Sequence, residues 1–135
     1  MFYSFEVVVP ADTGEDAPVE QTLKLTRGVI HLVEVRFKYG PNFMVGARLY
    51  HEGHQLYPTN PDEDIREDGR AVVFPDYFPL DIAPYALKVR AYSPNTTYPH
   101  TIYIRVGVLA EEEVAPMGGL GGMLQKFLSL VGIGK

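Results

Sequence analysis

The chain contains no cysteine and no tryptophan. Without cysteine there is no disulfide scaffold, no thiolate metal site and no thiol nucleophile. The lack of Trp removes the large flat ring on which a carbohydrate platform would lean. Positive charge is also scarce: 12 Lys and Arg face 17 Asp and Glu, a net charge of −5, which argues against a general phosphate-backbone binder. Long apolar runs are missing too. The best one, Leu120 to Ile133, carries Gln125, Lys126 and Ser129 and is shorter than the ~20 residues of a bilayer span. The first residues, Met1 to Glu6, lack the basic flank and apolar stretch of a secretory leader. The expected location is therefore the cytoplasm, where the chain is made, and the glycosylation-like Asn95-Thr96-Thr97 is idle.

What is present is 135 residues, 46% of them hydrophobic, enough for one core without covalent staples. Apolar residues alternate with polar ones in short runs. Tyr3, Phe5, Val7 and Val9 share one face against Ser4 and Glu6, and Leu23 and Leu25 stand between Thr22, Lys24 and Thr26. Val29, His31, Val33, Val35 and Phe37 read as one face of a third strand, and Val45, Ala47 and Leu49 as the inner face of a fourth. Shorter strands follow at 55–57 and 70–74. A proline-rich loop is expected over 75–84, then strands at 85–92 and 101–109, the last with Ile102, Ile104, Val106 and Val108 inward. Period-two runs separated by Pro, Gly and Asn turns predict an all-β antiparallel sandwich of about eight strands, wound as a jelly roll or a Greek key, with a short C-terminal amphipathic helix.

The last twenty residues have a different character. Residues 116–135 hold six of the 13 glycines, two lysines and no acid, so the tail carries +2 and residues 1–115 carry 10 minus 17, or −7. The boundary separates a 1–115 sandwich from a 116–135 glycine hinge and amphipathic tail. Leu120, Leu124, Phe127, Leu128 and Val131 fall at helical spacing on one face, a partner-binding stripe that something must cover.

Chemical motifs are weak. His51-Glu52-Gly53-His54 has its histidines three apart at a strand end, not four apart on a helix as in a zinc protease. The run Asp62, Glu63, Asp64, Glu67, Asp68 reads as a solvated loop, with calcium as the competing reading. Ser4, Ser93 and Ser129 lack a nucleophile elbow. Gly118 to Gly122 follows an acidic run and lacks the lysine of a phosphate cradle. No catalytic residue, metal or cofactor is expected. Tyr57, Phe74, Phe78 and Tyr98 each precede a proline, with Tyr77 close by. Gathered at one end of the sandwich, Tyr57, Tyr77, Phe78 and Tyr98 would form a ligand patch.

Leu56-Tyr-Pro-Thr-Asn-Pro-Asp62, Asn95-Thr-Thr-Tyr-Pro-His-Thr101 and Arg105-Val-Gly-Val-Leu109 resemble small uncharacterised β-rich proteins encoded among phage and prophage structural genes. The resemblance spans roughly residues 1 to 110, the length of one domain, and implies a virion or assembly component without assigning a functional residue. Two functions are expected on these grounds. One is a non-enzymatic structural subunit, such as a capsid or decoration protein, that forms homo-oligomers and docks its tail on a neighbour. The other is a carbohydrate- or peptide-binding module using the aromatic-proline loops. Tail contact with lipid is the weaker variant, since Lys126 is the one charge near the centre of the polar face.

Overall fold

The computed structural model describes residues 1–110. The expected hinge and tail helix, including Leu120, Leu124, Phe127, Leu128 and Val131, lie outside the described residues. Among the described residues eight strands form: β1 (Phe2–Val9), β2 (Val19–Lys24), β3 (Gly28–Phe37), β4 (Gly46–His51), β5 (His54–Tyr57), β6 (Ala71–Leu80), β7 (Ala86–Tyr92) and β8 (His100–Leu109). They make two four-stranded sheets, ordered β1-β8-β3-β6 and β2-β7-β4-β5, and every pairing is antiparallel. The all-β antiparallel two-sheet architecture expected from the alternation is therefore present. β1 bonds to β8, β2 to β7, β3 to β6 and β4 to β5, as in one long hairpin rolled on itself.

Alternation explains the core. Val7, Leu23, Val35, Leu49, Val89 and Ile104 are each fully buried, one residue in two along their strands, and meet between the sheets. Each such side chain contributes about 1.5–3 kcal/mol relative to exposure. The β4–β5 hairpin turns on Glu52 (φ 47°) and Gly53 (φ 84°), positive φ at both central residues, which matches the twist of the flanking strands. His51-Glu52-Gly53-His54 is thus a tight turn with His51 opposite His54.

Three sequence expectations need correction. The first concerns β3, where the register shifts between Ile30 and Leu32: Ile30 is paired with Val108 and Leu32 with Gly107, leaving His31 as an extra residue. Ile30 therefore joins Val33 and Val35 in the core, while His31 lies against the ring of Phe2 over Gly107. Second, the expected loop over 75–84 is strand as far as Leu80. Pro75 and Pro79 fit because β6 is an edge strand, where a missing N–H need not be satisfied. Third, the acidic stretch is not wholly solvated. Ile65 is 4% exposed and exchanges both backbone hydrogen bonds with Ala47 (3.1 and 2.9 Å), which pulls the centre of that stretch onto β4. Among the described residues no helix is long and apolar enough to cross a membrane.

Candidate functional site

The outer face of the β2-β7-β4-β5 sheet is charged. Arg48 on β4 stands directly opposite Arg90 on β7, and Glu20 on β2 is opposite Arg90. Like charges opposite one another cost stability, and each guanidinium here has its own carboxylate. Arg48 Nε donates to Asp64 Oδ1 at 2.6 Å, and its Nη2 donates to the Asp62 carbonyl at 3.0 Å. Arg90 Nε lies 3.4 Å from Glu20 Oε1, and Lys88 Nζ lies 3.6 Å from Glu20 Oε2.

Asp64 is the hub. It also accepts from Arg66 Nη2 at 3.0 Å and from the Tyr92 hydroxyl. Burial opposes ionisation of this carboxyl, but the hydrogen bonds from Tyr92, Arg48 and Arg66 outweigh it and hold Asp64 below the usual carboxylate range. Burial and the bond to Asp64 push the Tyr92 phenol up. Burial works against the charge on Arg48, yet Asp64 and Tyr50 hold the guanidinium more firmly protonated than usual. Gly46, paired with Tyr92, leaves room for this cluster, since a Cβ there would lie 3.1 Å from Arg66 Nη2 and 3.2 Å from Asp64 Cγ.

A cleft of about 90 Å³ opens beside the cluster, lined by Glu15, Pro18, Arg48, Tyr50, Arg90 and Tyr92. Its donors are guanidinium and phenol groups, with the Arg90 guanidinium over the Tyr50 ring at 5.7 Å; no histidine or serine lines it. The chemistry on offer is hydrogen bonding and charge, with no paired nucleophile and base. Arg48 and Asp64 were not legible as a pair in the sequence. The one available signal was an arginine on the polar face of a strand followed by a loop rich in acids.

The aromatic residues divide. Tyr57 is 4% exposed, and its hydroxyl donates to Asp76 Oδ2 at 2.6 Å, linking β5 to β6 across the sandwich. Burial and that bond push its phenol well above the usual range. Its ring packs on Phe74 at 5.5 Å, and Phe78 packs on His51 at 5.2 Å. The Tyr77 hydroxyl and His51 Nε2 are buried without a hydrogen-bond partner. Tyr98, 71% exposed, lies between β7 and β8. The register sets it at the opposite end of the strands: Phe78 is level with Ile30, whereas Ile102, just after Tyr98, is level with Phe37. Tyr57, Tyr77 and Phe78 are thus brought to the β5–β6 side, and Tyr98 stands apart.

Ser93 is fully buried, donating to the Pro10 carbonyl at 2.9 Å, and Ser4 lies exposed on β1. Among the described residues, no three His, Asp or Glu side chains converge as a metal ion would require.

No family model matches the chain, and no curated protein does. Among solved structures, a de novo designed double-stranded β-helix, determined by solution NMR, is similar at 15% identity and a TM-score of 0.38, covering 78% of this chain and 99% of its own. The Yersinia pseudotuberculosis-derived mitogen is similar at 11% identity and a TM-score of 0.43, covering 81% of this chain and 86% of its own. Both likenesses are remote, and nothing about this chain's function follows from them.

Proposed function

We propose that this chain is a non-enzymatic structural subunit of jelly-roll winding that assembles with copies of itself, in a virion or a comparable particle. The observation that carries this reading is where the exposed apolar side chains fall. The large apolar residues exposed on strands are Phe2 (71%), Val8 (54%) and Val73 (47%), and all three lie on the β1-β8-β3-β6 sheet. The outer face of the other sheet is built of ion pairs. The outer face of the first sheet also carries the Glu34–Arg105 pair on its central strands β3 and β8, so its exposed apolar side chains stand on the two edge strands, β1 and β6, where burial against protein is favoured.

The tail supplies a second contact in this reading. Its Leu120, Leu124, Phe127, Leu128 and Val131 stripe would bury against a neighbouring subunit as an amphipathic helix in a groove. Light scattering on the full chain tests the proposal. The expected mass is a multiple of the 15.1 kDa chain, lowered when Leu124 and Phe127 are both changed to Asp. A monomer at all concentrations overturns it.

A further inference from the structure

The two sheets have four edges, and three of them are blunted against pairing. β5 has four residues, β6 carries Pro75 and Pro79 with a shifted register, and β2 presents Glu20 and Lys24. Short length, proline, bulges and charge are the devices by which native sheets protect an edge. β1 has the least of them: it runs eight residues, Phe2–Val9, without proline or bulge and in unbroken register with β8, and Glu6 is its single charge.

The hydrogen-bond phase of β1 follows from its first residue. Met1 and Val108 exchange both backbone bonds, at 2.8 and 2.7 Å. In an antiparallel ladder such pairs recur every second residue, so Tyr3, Phe5, Val7 and Val9 face β8. Phe2, Ser4, Glu6 and Val8 therefore direct N–H and C=O groups to the open side, where no described residue bonds them.

We infer that β1 pairs antiparallel with β1 of a second copy, in the register centred on Phe5, so that the first sheets of two subunits become one. The inference rests on the self-assembly reading and specifies its interface. A two-fold interface must be self-complementary, and the side chains select one register. Centred on Phe5, Phe2 lies opposite Val8 of the second copy and Ser4 lies opposite Glu6 of the second copy. Those are the residues whose backbone groups face outward, so each pair exchanges two hydrogen bonds while apolar meets apolar. Centring on Glu6 would oppose two carboxylates, and centring on Ser4 would set Phe2 against Glu6. A slip by one residue would turn every side chain to the wrong face. In the chosen register Phe5, half-buried and stacked on Tyr3 at 6.5 Å, meets its own copy in the closer, non-hydrogen-bonded type of pair.

The test uses the full chain, which has no native cysteine to interfere. In Phe5→Cys the two Cα atoms would lie about 4.5 Å apart, within disulfide reach, and diamide oxidation should give a covalent dimer. In Phe2→Cys they would lie about 20 Å apart, six strand residues, and should not cross-link. Ser4→Pro removes an outward N–H without touching the β8 ladder, and should raise the dimer dissociation constant, read by sedimentation, at least about tenfold. Wild-type self-association that survives Ser4→Pro, with no Phe5→Cys cross-link, overturns the β1 interface and leaves the assembly reading standing. A wild type that stays monomeric overturns both. If Ser4→Pro fails to fold, as judged by circular dichroism, the two cysteine variants decide alone.

Discussion

Asp64→Ala tests the idea that the acidic stretch is fastened to the sheet and not simply hydrated. The Asp64 and Arg48 side chains are 10% and 12% exposed, so the mutation leaves a largely desolvated guanidinium without its main partner. Breaking such a pair costs about 3–5 kcal/mol. Arg48 keeps the Asp62 carbonyl at 3.0 Å and a contact with Glu15 at 3.5 Å, which sets the expected loss at the lower end, about 3 kcal/mol. For a domain of this size that corresponds to a fall in Tm of roughly 10 °C. Asp64→Asn keeps the shape and one acceptor and should cost about half as much.

The pH dependence has a definite sign. Folding lowers the Asp64 carboxyl below its ordinary value, which is near 3.9 in an unfolded chain. The stabilisation is therefore full above about pH 4 and is lost as pH falls through the folded-state value. Thermal melts of wild type, Asp64→Ala and Asp64→Asn from pH 2 to 7 check both points. The wild-type advantage should be flat near neutrality and shrink in acid. A drop of under about 2 °C for Asp64→Ala at pH 7 would refute the reasoning, because it would place the pair in the range of a solvent-screened surface bridge.

Other perturbations have equally direct readouts. At Gly107, a Cβ would lie 2.7 Å from His31 Nε2 and 2.8 Å from Phe2 Cε1, so Gly107→Ala should cost about 1–3 kcal/mol in urea unfolding; a neutral result would mean that both rings move freely. Tyr57→Phe leaves Asp76 without its phenol donor and should cost about 1–2 kcal/mol. Burial raises the Tyr57 phenol above its unfolded value near 10, so its contribution holds below that pH and is lost above it. In an ultraviolet titration Tyr57 should be among the tyrosines that ionise only with alkaline unfolding, together with Tyr92, and Tyr57→Phe should lower the amplitude of that step by one tyrosine.

Much of the fold was legible because burial between two sheets imposes a period of two, visible in β1 as Tyr3, Phe5, Val7 and Val9. The exceptions have local causes. The His31 bulge breaks the period, and no residue type marks a bulge in a single chain. Pro75 and Pro79 read as loop because a proline is unfavourable in a central strand, and only the sheet order shows β6 to be an edge. Asp64 and Ile65 sit among acids whose composition suggests solvent, but their partners Arg48, Tyr92 and Ala47 come from other strands. Tyr57 shows the same limit, since a tyrosine before a proline looks alike whether it caps a loop or bonds Asp76 inside. The candidate interface was hidden for a related reason: an edge exists only once the order of strands is known.

Residue-resolved amide hydrogen exchange along β1, at low and high protein concentration, tests the central claim most directly. The amides of Tyr3, Phe5 and Val7, bonded to β8, should be protected at both concentrations. Those of Ser4, Glu6 and Val8 should exchange fast in dilute solution and become protected as copies pair. Protection of the second set that never changes with concentration, or its absence throughout, would contradict assembly through β1.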